Sequence, residues 1–153
     1  MIPKPPPRIV LDTNVCLDLF VFRDPRWQKL DIALRDGSVE AVTRAECRME
    51  WLLVLAYEKL QLDAPRRTLL AAEFDRIIRL FEMPVDDALV KLPQCRDPDD
   101  QKFLELAYAA RAQVLISKDK ALLKLARKTA KAGWFEIMTP QAWVDQTAAS
   151  KIN

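Results

Sequence analysis

Ile9-Val10-Leu11-Asp12-Thr13-Asn14 sets three apolar residues, two of them β-branched, directly against an acid, a hydroxyl and an amide. A short apolar run of this kind predicts a buried strand of a parallel sheet. Asp12 then falls at the strand's carboxyl end, where open α/β sheets build their ligand crevice. The same residues also suit the N-cap of a helix beginning near Val15, because their side chains accept bonds from free helical N–H groups. A plain cap and a carboxylate held rigidly at a metal or phosphate site are both open at this point. The rest of the chain has to choose between them.

Val114-Leu115-Ile116 repeats the apolar run, and Ser117-Lys118-Asp119 follows it. Val39 to Val42 and Phe135 to Met138 read as further strands. Between them lie helical patterns. The first spans Val15 to Phe20. Another runs from Asp24-Pro25 to about Arg35 and closes on the turn pair Asp36-Gly37. A third follows Thr43 as cap, with Ala45, Met49, Leu52, Leu53 and Ala56 as its core face. A fourth opens at Asp63 with Pro65 and continues to about Leu80, carrying an apolar stripe of Leu69, Leu70, Phe74, Ile77, Ile78 and Phe81. Met83 to Gln94 has no clear period and reads as a connection. Phe103, Leu104, Ala107 and Tyr108 mark an amphipathic helix. Residues 120–132 form another, which Gly133 terminates, and Thr139-Pro140 starts a last short one. Strands alternating with helices predict an α/β domain with a mainly parallel sheet and right-handed crossovers.

The 153 residues suffice for one domain, expected at residues 8–148 between a proline-rich extended tail (1–7) and a short tail (149–153). Half of the residues are hydrophobic and 30% are charged, a globular balance rather than a disordered one. No apolar stretch reaches the ~20 residues of a membrane span. Pro3, Pro5, Pro6 and Pro7 stand where a signal peptide needs an apolar region, so the expected location is cytoplasmic. Cys16, Cys47 and Cys95 are odd in number and scattered, which predicts buried free thiols. There is no histidine, which removes Ser-His-Asp and Cys-His catalysis. Only Gly37 and Gly133 are glycine, too few for a P-loop or a GxGxxG turn. An enzyme built from this chain has to rely on carboxylates, with a metal to make them useful.

The carboxylates are placed for that. Asp12 and Asp119 each follow an apolar strand and reach the same sheet edge if both strands lie near its middle. Asp97, Asp99 and Asp100 open the helix before the second of these strands. Acids in a first helical turn favour the dipole, but three in four residues exceed what one cap uses. Their repulsion costs stability unless a cation is near. Glu46 and Glu50 lie four apart on the helix after Thr43. Glu46 reads as solvated, whereas Glu50 sits at the margin of the apolar stripe. Hard divalent ions such as Mg²⁺ and Mn²⁺ take carboxylate oxygens and keep waters for substrate phosphates. They can activate water and stabilise the leaving oxygen in phosphodiester hydrolysis.

Three blocks carry a resemblance: Val10-Leu11-Asp12-Thr13-Asn14-Val15, Arg96-Asp97-Pro98-Asp99-Asp100-Gln101-Lys102-Phe103-Leu104, and Leu115-Ile116-Ser117-Lys118-Asp119-Lys120-Ala121-Leu122-Leu123. A weaker fourth is Glu50-Trp51-Leu52-Leu53-Val54-Leu55. In this order and spacing the chain resembles the PIN-domain family of metal-dependent nucleases, and most of all its branch of toxin components of type II toxin–antitoxin systems. The resemblance implies a three-layer α/β/α sandwich with a mainly parallel central sheet. It implies Mg²⁺ or Mn²⁺, cleavage of single-stranded RNA, an antitoxin partner and a homodimer. It carries the family's four acids to Asp12, Glu50, Asp100 and Asp119 as catalytic and metal-binding residues. Asp97 and Asp99 belong to the same motif and either could share the third role. Thr13, Asn14 and Ser117 match the polar residues that orient those acids.

Lys120, Lys124, Arg127, Lys128 and Lys131 recur at spacings of three and four, with Leu122, Leu123, Ala126 and Ala130 left for the core. Together with Lys118 they form either a solvated face or a stripe that tracks RNA phosphates. Trp27, Trp51, Trp134 and Trp143 could stack bases, although burial is the commoner fate of tryptophan. The competing functions are a non-catalytic RNA- or protein-binding member of the same fold and an aspartyl-phosphate phosphotransferase. The second usually shows another Asp two residues after the nucleophile, where this chain has Asn14.

Overall fold

The computed structural model describes residues 4–82 and 92–152. Ile9 to Leu11 lie in β1 (Arg8–Leu11), which runs straight through Asp12 into α1 (Thr13–Cys16). A π-helical turn (Leu17–Val21) and a 3-10 turn (Pro25–Trp27) lead to α2 (Gln28–Asp36). Gly37, at φ 82°, ends that helix in the left-handed region, where a side chain would be strained. Then come β2 (Glu40–Thr43), α3 (Ala45–Leu55), α4 (Ala64–Ile77) and β3 (Ile78–Leu80). A 3-10 turn (Pro98–Asp100) opens α5 (Gln101–Ala109). β4 (Val114–Ile116), α6 (Lys120–Leu123), α7 (Ala126–Lys131), β5 (Glu136–Met138) and α8 (Pro140–Ile152) complete the chain.

The described residues form five strands, all parallel and ordered β3-β2-β1-β4-β5. Alternate residues serve opposite faces. Ile9, Leu11, Ala41, Val114 and Ile116 pack with Leu19, Phe20, Leu30, Trp51 and Phe74 on one side. Val10, Val42, Leu115 and Ile137 pack with Phe103, Leu104, Leu106 and Leu122 on the other. Burying each such side chain contributes about 1.5–3 kcal/mol, which is why a sheet covered on both faces reads as unbroken apolar runs. The result is the expected α/β/α sandwich. All three thiols are buried and free. No helix among the described residues is long and apolar enough to cross a membrane.

β1 pairs with β2 on one side and β4 on the other, so the strand order reverses between β1 and β4. Leu11 is registered with Ile116, and the Asp12 amide donates to the Ile116 carbonyl at 3.0 Å. The residues just past both strands, Asp12 and Ser117 to Asp119, therefore meet at the switch point, where a crevice opens.

Several sequence expectations are corrected. Thr43 does not cap α3: it is the buried last residue of β2, and Arg44 takes the cap position without a side-chain cap bond. The core face of α3 is Cys47, Trp51, Val54 and Leu55, whereas Met49 and Leu53 are 54% and 60% exposed. Both sides of this helix are apolar, so periodicity could not choose its rotation. Trp51 chooses it, stacked on Phe74 with centroids 5.3 Å apart and edge-on to Phe20 at 6.0 Å. α4 stops at Ile77 because Ile78 to Leu80 pair with Ala41 to Thr43 as an edge strand. Leu69 of the expected stripe is exposed. The helix read over 120–132 is two short ones, with Thr129 buried and Ala130 exposed. α8 is longer than expected and continues to Ile152, into the stretch read as a tail. The connection read from Met83 to Gln94 falls largely outside the described residues.

Candidate metal centre

Asp12 caps α1 at the end of β1 and is only 4% exposed. Its Oδ1 accepts from the Thr13 amide at 2.7 Å and its Oδ2 from the Ser117 hydroxyl at 2.6 Å. Ser117 is fully buried and its Oγ also accepts from the Asp119 amide at 2.9 Å. One hydroxyl thus ties the acid after β1 to the acid after β4. Asp119 in turn caps α6, with its Oδ1 accepting from the Ala121 amide at 2.8 Å. Asp97 caps the 3-10 turn through the Asp99 amide at 3.0 Å. Capping and clustering are therefore not alternatives here: the caps aim the acids.

Asp100 ends that turn and is 8% exposed. Carboxylate oxygens of Asp97, Asp100 and Asp119 lie within 4.8 Å of one another. Asp100 Oδ2 is buried without a hydrogen-bond partner among the described residues, and so is Asn14 Oδ1 nearby. An orphaned buried oxygen of this kind costs free energy and calls for an explanation. Burial, first of all, pushes the Asp12 carboxyl up to about 6; the Glu50 and Asp119 charges add to this, and the bonds from Ser117 and Thr13 oppose it. Asp100 is raised well above the ordinary carboxylate range by burial, by the adjoining Asp119 carboxyl, and by the charges of Asp12 and Asp97.

Glu50 reaches the same cleft from α3. Its Oε2 accepts from the Thr13 hydroxyl, and its Oε1 from Lys102 Nζ at 3.0 Å. Lys102 also donates to the Asp99 carbonyl. Burial works against its charge, but the bond and attraction to Glu50 hold its pKa above the ordinary lysine value. The cleft holds about 240 Å³ and is walled by Asp12, Thr13, Asn14, Glu50, Asp100 and Asp119, with Tyr57 and Lys59 alongside. A larger cavity of about 730 Å³, bounded by Ile32, Val39, Trp134 and Trp143, has none of these acids in its wall.

Of the acids named from sequence, the structure brings Asp12, Glu50, Asp100 and Asp119 to one cleft, and Asp97 joins Asp100 and Asp119. The Asp99 side chain is exposed and is not part of that triad; only its backbone carbonyl faces the site, through Lys102. Thr13 and Ser117 make the bonds just described. Lys118 pairs with the buried Asp18 at 2.7 Å while its side chain stays 40% exposed. Trp27, Trp51 and Trp143 are buried. Lys102 stands in the second sequence block, but nothing in the sequence assigns it a role at the site. Its partner lies 52 residues away, and no local pattern links the two.

The family model of the PIN domain matches residues 8–121. The chain therefore belongs to the PIN-domain family, whose members are generally metal-dependent nucleases, and it carries that nuclease fold with an acidic cluster able to bind metal. No curated protein matches the chain significantly.

Proposed function

We propose that this protein is a metal-dependent endoribonuclease that hydrolyses phosphodiester bonds of single-stranded RNA with Mg²⁺ or Mn²⁺. We further propose that it is the toxin of a type II toxin–antitoxin pair. The observation that carries the metal dependence is Asp100: a buried acid with an unpartnered oxygen, facing the oxygens of Asp97 and Asp119. No described protein group donates to that oxygen, and an all-oxygen donor set suits a hard divalent cation.

Asp97, Asp100 and Asp119 are the groups to hold the cation, with Asp12 against them. When bound, it neutralises the carboxylates and the charge developing on the phosphate, and it makes water a better nucleophile. The chain's own part is positioning. Ser117 joins the Asp12 carboxylate to the Asp119 backbone amide, which holds these two residues in fixed relation. Thr13 fixes Glu50 at the cleft wall. Asp12 must lose the proton that burial favours, which makes cation affinity rise with pH.

RNA as substrate is supported by the exposed Lys120, Lys124, Arg127, Lys128 and Lys131, which begin one residue after Asp119. An antitoxin is supported by Met49 and Leu53, mostly exposed and four apart on α3, followed by Tyr57 at the cleft wall. The toxin role rests on the resemblance of the three sequence blocks to that branch. Incubation of a mixed single-stranded RNA pool with and without Mn²⁺, followed by mapping of the ends, tests the activity. Cleavage that needs the metal and disappears in Asp12→Asn is the expected result. RNA binding with no cleavage at any metal concentration would assign a binding role instead.

A further inference from the structure

The acids of the cleft divide into two groups by what faces them. Asp97, Asp100 and Asp119 face one another, and Asp100 Oδ2 has no partner among the described residues. Glu50 is different. Both of its oxygens are engaged, Oε2 by the Thr13 hydroxyl and Oε1 by the Lys102 ammonium at 3.0 Å. Lys102 is held on three sides: by Glu50, by the Asp99 carbonyl, and by the Phe103 ring, whose centroid lies 5.2 Å away. Its side chain is 14% exposed, so it is held against Glu50, a residue of the cleft wall, rather than free at the surface. It stands two residues after Asp100 and opens the same helix, so the element that brings the orphaned acid also brings the ammonium. A divalent ion approaching Glu50 Oε1 would meet that ammonium, and like charges this close in a half-buried site repel strongly.

We propose that Lys102 is a built-in cation standing where a second metal ion would otherwise sit, so that the centre binds one divalent ion, at the Asp97, Asp100, Asp119 and Asp12 side of the cleft. Glu50 is then a positioning residue: it lines the cleft and holds the ammonium behind its own Oε1, so that a second positive charge stands beside the single ion. This inference rests on the metal-dependent reading above.

The stoichiometry of Mn²⁺ binding tests it without any assay of activity. Isothermal calorimetry and the electron paramagnetic resonance of bound Mn²⁺ count the ions in the wild type, Lys102→Arg and Lys102→Met. One ion is expected in the wild type and in Lys102→Arg, which keeps the charge. A second ion, close enough to broaden the spectrum of the first, is expected in Lys102→Met. Two ions in the wild type, or one in Lys102→Met with unchanged affinity, would overturn the inference while leaving the metal-dependent reading intact. No ion in the folded wild type would overturn both. Glu50→Gln approaches the same question from the other partner and keeps the shape of the side chain. It is expected to leave one ion with affinity within about twofold, whereas a loss of about tenfold or more would make Glu50 a ligand and refute the assignment.

Discussion

Carboxylates on the flank of α2 and α4 face arginines, and those in the cleft face one another. Glu73 takes Arg35 at 2.7 Å and Arg23 at 3.2 Å, Asp31 takes Arg35 at 3.0 Å, and Asp75 takes Arg48 at 2.8 Å. The Arg48 hydrogen bond holds the Asp75 carboxyl below its usual range, whereas burial raises those of Asp12 and Asp100. Flank pairs of this kind each contribute about 0–1 kcal/mol, since both partners keep water. The cleft works in the opposite sense: it gathers acids that pair with no arginine among the described residues, and two of them, Asp12 and Asp100, are buried from solvent as well. The same residue type serves stability in one place and stores an unmet electrostatic demand in the other. Glu50 stands between the two cases, because an ammonium already meets its demand.

This contrast can be broken in four ways, from the largest expected effect to the smallest. Asp12→Asn keeps the bonds to Ser117 and Thr13 within reach but removes the charge. Cleavage should fall by about 100-fold or more, with Mn²⁺ affinity lost and the far-ultraviolet circular dichroism unchanged. Full activity would remove Asp12 from the centre.

The pH dependence of the metal-free protein comes next. The unfolded Asp12 ionises near the ordinary value of 3.8 and the folded one at about 6. Between those values the folded state holds a proton that the unfolded state has lost. Stability is therefore expected to decline as pH rises through that window, by on the order of 3 kcal/mol for this group. Melting in a chelator should follow that fall from pH 4 to pH 7. Saturating Mn²⁺ should reverse the trend, because each carboxyl that loses its proton becomes a ligand. Identical pH profiles with and without metal would contradict the account.

Two neutralising substitutions should then differ in sign. Asp100→Asn relieves repulsion and should raise the melting temperature of the metal-free protein, by about 2–4 °C for each kcal/mol relieved. Asp75→Asn breaks a flank pair and should lower it, by no more than about 1 kcal/mol. Equal signs in differential scanning calorimetry would mean that the two regions do not differ as described. The smallest effect belongs to Lys124→Glu with Lys128→Glu. RNA affinity should weaken, and its dependence on salt should become shallower by about 0.7 in the log–log slope for each phosphate that is no longer neutralised. Filter binding at several salt concentrations measures it, and an unchanged slope would leave these lysines as solvated surface.

Much of the fold could be read from residues 9–12 and 114–119 because a parallel strand buried on both faces has no polar member until it ends. Asp12 and Asp119 are polar where the strands stop, so their place at one sheet edge followed from pattern alone. The rotation of α3 did not follow, because Met49 and Leu53 are as apolar as Val54 and Leu55. Ile78 to Leu80 continue a helical period, and only their pairing with β2 makes them a strand. Choosing among Asp97, Asp99 and Asp100 likewise needed the path of the 3-10 turn, which brings Asp97 and Asp100 toward Asp119 and leaves the Asp99 side chain in solvent.

Local chemistry alone therefore determined the layered α/β plan, the absence of histidine-based catalysis, and the acids at the ends of β1 and β4. These depend on side-chain type and on periods of two or 3.6 residues, which any short window displays. The tertiary structure decided which neighbour each acid meets: Ser117 for Asp12, Asp97 and Asp119 for Asp100, and Lys102 for Glu50. Such encounters join residues up to 105 positions apart. Their energies depend on distance and burial, and neither exists until the sheet and its two helical layers have closed.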